Sequence, residues 1–126
     1  MKKTKRKITA IYFDVENGKR PEVKEVDVST NDEIYKLLNC SAIEIPSLSI
    51  GGKTYCVVCD DVGLLERKPL SIFTHNSYSR VYGNVLITNQ YGDELDSLST
   101  VDIVRIISRV GRYVTNETRP VLFADN

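Results

Sequence analysis

The sequence predicts an α+β domain: a mainly antiparallel sheet of about five strands with two helices, the longer one at the C-terminus. Three observations carry this expectation. Segments rich in β-branched residues alternate with short Gly- and Asn-containing turns. Two other segments place apolar residues at helical spacing behind a capping residue. The strand connections are too short for crossovers, so neighbouring strands should run antiparallel, with a helix layer on one face.

The elements follow in order. Lys7 to Val15 reads as a strand, and Asn17-Gly18 supplies the positive φ of a turn. Pro21 to Val28 returns as its hairpin partner. Val23 and Val26 fall on opposite faces, so this strand either bulges or is a two-sided edge. Thr30 and Glu33 have the spacing of a capping box for a short helix that buries Ile34, Leu37 and Leu38 and ends near Asn39 or Cys40. Ala42 to Ile50 is a strand broken by Pro46. Gly51-Gly52 turns it into Lys53 to Cys59, and Leu64-Leu65 reads as a short continuation beyond a turn at Asp60. Lys68 to Tyr78 has no clear period and is expected to be an irregular loop. Arg80 to Thr88 is a strand and Gln90 to Asp96 a polar loop. Ser99 and Asp102 form a second capping box, opening a helix expected to run to Val114.

A length of 126 residues fits one domain, with a basic tail over residues 1–6 and a C-terminal tail over residues 116–126. The 17 basic and 17 acidic residues cancel, which argues against a general nucleic-acid coat and permits self-association into a homo-oligomer. No apolar run approaches the roughly 20 residues of a membrane span, and the N-terminus lacks the apolar centre of a signal peptide. The expected location is cytoplasmic, with no membrane partner. Three cysteines suit a reducing compartment. Cys56 and Cys59 sit three apart on a strand and point to opposite faces, so they read as buried thiols rather than metal ligands. No metal or cofactor is expected.

The most pointed chemistry is an arginine stripe. Arg105, Arg109 and Arg112 at i, i+4 and i+7 would share one face of the last helix. A guanidinium fork matches phosphate or carboxylate and keeps its charge. Only Asp102, three residues before Arg105, is placed to pair with the stripe. The loop from Phe73 to Tyr78 adds an aromatic ring and Asn76, and the strand beyond it adds Tyr82 and Asn84. Phe73 or Tyr82 would stack a base, and Asn76 or Asn84 would read its edge. Asn84 equally suits a strand bulge beside Gly83. With one histidine and no catalytic motif, an enzyme is not expected.

One ordered set of segments resembles a known family. It comprises Gly18 to Asp27, Ile34 to Leu38, Ile43-Glu44-Ile45, Tyr55 to Leu65, Tyr82 to Thr88, and Ser97-Leu98-Ser99 before the last helix. This order resembles an uncharacterised domain family of bacteriophages and mobile elements of Firmicutes, over roughly Ile8 to Tyr113. The family's compact Pro-x-Asn-Arg segment is dispersed here over Pro69, Asn76 and Arg80. In size and layout the chain is also similar to phage anti-Thoeris sponges. That resemblance implies an anti-defence protein that sequesters a cyclic ADP-ribose-like or cyclic oligonucleotide signal without cleaving it. The alternatives are a protein-binding inhibitor or adaptor of a host factor and, third, an accessory nucleic-acid binder using the lysine-rich tail.

Overall fold

The computed structural model describes residues 6–74, 80–114 and 118–125, and the side chains of all of these except 112–114, 118 and 119. The fold is α+β, with two α-helices and one short 3-10 helix (Val15–Asn17) among the described residues and antiparallel pairing throughout its larger sheet. The strands are more numerous and shorter than the sequence suggests, eleven among the described residues.

Strands β1 (Lys7–Phe13) and β2 (Glu22–Asp27) form the expected hairpin, in unbroken register from Lys7 opposite Asp27 to Tyr12 opposite Glu22. No bulge is present. β2 is the sheet edge, so Val26 is buried while Val23 is 51% exposed. Helix α1 (Asp32–Leu38) ends at Asn39, whose φ of +53° closes its last turn. Its predicted capping box does not form. The Thr30 hydroxyl accepts from the Asp32 amide at 3.3 Å, and the Glu33 carboxylate accepts from the Asp27 amide at 2.8 Å. Glu33 therefore ties the helix to β2 instead of capping it.

Pro46 splits the next segment into β3 (Ile43–Glu44) and β4 (Ser47–Ile50), both antiparallel to β5 (Lys53–Asp60). Leu64 and Leu65 do not continue β5. They sit in a turn over residues 61–67, 63% and 82% exposed. The expected loop contains β6 (Leu70–Thr74). The segment after it is interrupted at Gly83-Asn84 into β7 (Val81–Tyr82) and β8 (Val85–Tyr91), and the polar loop holds β9 (Glu94–Asp96).

The largest correction concerns the last helix. α2 (Thr100–Ile107) opens with the predicted Ser99–Asp102 capping box but stops seven residues early, and β10 (Val110–Val114) follows. The expected tail is strand β11 (Thr118–Ala124), antiparallel to β10 and parallel to β6. The physical reasons are local and non-local. Gly111 costs a helix about 1 kcal/mol, and Val110, Tyr113 and Val114 favour a strand. Pairing with β11 buries Val121 and Leu122 completely. Gly111 has a further role, because a Cβ there would stand 2.5 Å from the Phe123 ring.

The larger sheet has the order β2-β1-β8-β5-β3, with β4 also on β5 and β9 on β8; the smaller runs β10-β11-β6-β7. Both faces of the larger sheet are covered, against the expectation of one. Ile11, Phe13, Val57, Val85 and Ile87 pack with Ile72, Leu122 and Ile106 of the smaller sheet and α2. Ala10, Tyr12, Val58 and Leu86 pack with Ile34 and Leu38 of α1. This explains the uninterrupted apolar run of β5, since a strand covered on both faces has no solvent side. Among the described residues, no helix is long and apolar enough to cross a membrane.

Candidate anion-binding corner

The start of α2 fixes the site. The capping box that begins the helix also aims Asp102 inward, where its side chain is 4% exposed. One carboxylate oxygen accepts from Lys53 Nζ at 2.8 Å, the Tyr55 hydroxyl at 2.8 Å and Arg105 Nη1 at 3.1 Å. The other accepts from Asn89 Nδ2 at 2.8 Å and from the Ser99 amide and hydroxyl, each at 2.9 Å. Burial opposes the charge on Asp102, but the bonds from Lys53, Ser99, Tyr55 and Asn89 outweigh it and hold the carboxyl far below its ordinary range. Arg105 also donates to the Tyr55 hydroxyl at 2.7 Å, which strengthens its hold on the proton.

Above this hub lies the β4–β5 turn. Gly51 and Gly52 have φ of +62° and +88°, which L side chains rarely adopt. A Cβ on Gly51 would meet Arg105 Cγ at 2.6 Å and Arg109 Nε at 3.6 Å. The two arginines therefore converge on one turn, as their i, i+4 spacing implies, although Arg109 lies just beyond the helix end. The Asp125 carboxylate caps the same turn. It accepts from the Gly52 amide at 2.8 Å and the Ser49 hydroxyl at 2.9 Å, and approaches Arg109 Nη1 to 4.0 Å. The Gly52 amide does most to lower the Asp125 carboxyl from its usual range.

Lys53, Arg105 and Arg109 thus gather around Asp102 and Asp125, and these five groups together carry one positive charge in excess. Lys53 and Arg109 are about half exposed, so both present charge to solvent. A polar hollow of about 340 Å3 shares Lys53 and Tyr55 with the corner and is further lined by Ser47, Thr54, Cys56, Asn89, Gln90 and the carboxylate Asp96, which also faces Arg6 at 3.8 Å.

The other predicted site residues lie elsewhere. Arg112 is in β10 rather than on the helix, so the stripe is two arginines long, and its side chain is outside the described residues. Asn76 is also outside the described residues. Phe73 lies in β6, its ring 5.9 Å from that of Phe123 and capped by the Arg80 guanidinium at 4.4 Å. Tyr82 borders a different hollow, with Asp60, Leu64 and Arg80. Asn84 is buried inside the fold. Its oxygen accepts from the Glu16 amide, and its amide hydrogens go to the Tyr12 hydroxyl and the Leu37 carbonyl. Both donors are used internally, which accounts for the residue without a ligand.

Sequence reasoning missed Lys53, Ser49 and Asp125, which reach the corner through strand pairing, and it missed Lys68. Lys68 Nζ is buried 2.7 Å from Asp60 Oδ2 and donates to the Asn39 carbonyl at 2.7 Å. It clamps the turn over residues 61–67 to the end of α1. Burial works against the Lys68 charge, yet the bond to Asp60 keeps its affinity for the proton above normal. Cys56 and Cys59 are buried thiols with their sulfurs on different partners, and burial pushes Cys59 up to about 12.

The comparisons with known proteins identify a family and no activity. A family model described as Domain of unknown function (DUF3846) matches residues 8–111. The chain belongs to that family. The match contains Lys53, Asp102, Arg105 and Arg109, whereas Asp125 lies beyond it. No curated protein and no solved structure shows a significant match to this DUF3846 chain.

Proposed function

We propose that this DUF3846 domain is a non-enzymatic binding protein for a nucleotide-class anion. Its phosphate would rest against Lys53, Arg105 and Arg109, and its base or sugar would enter the polar hollow beside Lys53. One observation carries this reading: Lys53, Arg105 and Arg109 gather beside a single glycine turn, where Asp102 and Asp125 are the carboxylates in contact with them among the described residues, and Asp96 stands in the adjoining hollow. Lys53 and Arg105 are already held in place by Asp102, so they need little further ordering to meet an anion. Hydroxyls of Ser47 and Thr54 and the amides of Asn89 and Gln90 supply polar recognition in the hollow. In the form suggested by resemblance to phage sponges, the protein is an oligomeric anti-defence factor that sequesters a cyclic ADP-ribose-like or cyclic oligonucleotide signal intact. Val101 and Val104, both exposed on the outer face of α2, offer a subunit contact for that oligomer.

The test is a thermal-shift panel of cyclic dinucleotides, cyclic trinucleotides and ADP-ribose isomers, with the released compound weighed after heating. A stabilising compound recovered with unchanged mass supports sequestration. A changed mass would make the protein an enzyme. Arg109→Glu should abolish the shift while changing the melting temperature of the unliganded protein little, because Arg109 is exposed and its acidic neighbour is 4.0 Å away.

A second reading, a protein-binding inhibitor or adaptor, is favoured by the turn over residues 61–67. Leu64 and Leu65 are held in the open there by the buried Lys68–Asp60 pair. If the panel gives no shift and Leu65→Ser removes an inhibitory effect in cells, this second reading replaces the first.

A further inference from the structure

We propose that the Gly51-Gly52 turn is a phosphate-binding nest that Asp125 occupies from within the chain. A phosphate group arriving from solution displaces the Asp125 carboxylate. This rests on the reading of the corner as an anion site, and it names the anchoring group and how the site is controlled.

The contacts of Asp125 are those of a bound anion. Its Oδ2 receives a turn amide, Gly52 N, at 2.8 Å and a hydroxyl, Ser49 Oγ, at 2.9 Å. Its Oδ1 faces a guanidinium, Arg109 Nη1, at 4.0 Å. Backbone amides of a turn with positive φ form a concavity that accepts anionic oxygens. One wall is closed, since Arg105 and Arg109 stand where a Gly51 side chain would be. The other wall is open, since a Cβ on Gly52 would meet nothing within 4 Å. The Asp125 carboxylate on the Gly52 amide is itself one-third exposed, so an incoming oxygen can exchange with it from solvent.

Asp125 is suited to leave. It follows the last residue of β11, its side chain is one-third exposed, and its backbone tie is the bond from its amide to the Ser49 carbonyl at 2.8 Å. Release moves the carboxylate into water without opening the core. An internal occupant lowers apparent affinity by the fraction of time the nest is filled, so removing it should tighten binding.

The test uses the full chain, 15N-labelled, as wild type, Asp125→Ala and Asp125→Asn, each titrated with inorganic phosphate at constant ionic strength. The Gly52 amide peak should move in all three. In Asp125→Ala it should reach half-saturation at a phosphate concentration about fivefold lower than in wild type. Asp125→Asn keeps a neutral acceptor and should fall between. If Asp125→Ala does not fold, tighter binding by Asp125→Asn than by wild type decides in favour. Equal half-saturation in the variants and wild type, or a Gly52 peak that never moves, overturns the inference. Nucleotide binding with an unmoved Gly52 peak would remove the nest and leave the corner reading standing. A moved Gly52 peak with no nucleotide binding would do the reverse.

Discussion

Asp102 gathers Lys53, Tyr55 and Arg105 on one oxygen, so its charge holds the corner together. Asp102→Asn should destabilise the fold by about 3 kcal/mol in urea melts, the lower end for a broken buried pair, because Lys53 and Arg105 reach solvent. The pH dependence follows from the lowered carboxyl. An unfolded aspartate titrates near 3.9, so the folded state is favoured above about pH 4 and loses that advantage as pH falls toward the folded value. Thermal melts between pH 3 and pH 7 should show a steep loss below about pH 4 in wild type and a shallower one in Asp102→Asn. Lys68 is the second such residue. Lys68→Met should cost about 3–5 kcal/mol by stranding Asp60, and adding Asp60→Asn should restore part of the urea midpoint. The roles of Ser99 and Asp102 were legible in the sequence because a capping box is local. The role of Lys68 was not, because Asp60 meets it only once the turn over residues 61–67 has folded back and Asn39 comes from the end of α1.

At the scale of elements, α2 shows how a periodic signal can overrun. Ile103, Ile106, Ile107, Val110 and Val114 continue a helical stripe, and the arginines share its spacing. The contrary signals were Gly111 and a run of strand-forming residues, and they decided the outcome once β11 was available as a partner. The sequence reads β11 as a tail because its parallel partner β6 lies in a segment without clear period, although Val121, Leu122 and Ala124 are buried. Gly111→Ala tests this account. Its methyl would press on the Phe123 ring, with an expected loss of about 1–3 kcal/mol in thermal or urea melts and an unchanged helical signal. An unaffected stability would mean that the close approach of Gly111 to Phe123 is not needed.

Over the whole molecule, the layers explain both what could be read and what could not. The antiparallel sheet and its hairpins follow from short turns, and so were legible. The smaller sheet closes the second face through β6 and β11, whose paired residues (Leu122 with Ile72, Phe123 with Phe73) are fifty apart in sequence, and no local pattern announces them. The corner has the same character: Arg105 and Arg109 were visible as a pair, while Lys53, Ser49 and Asp125 join them only through the β4–β5 turn and the end of β11. The central claim is that this corner holds a nucleotide-class anion. The most direct measurement is an amide chemical-shift map of the labelled protein with ADP-ribose and with a cyclic dinucleotide. The account predicts shifts concentrated at Gly51, Gly52, Lys53, Arg105 and Arg109, abolished in Arg109→Glu. Shifts clustered at residues 61–67, or no shift with either compound, would contradict it.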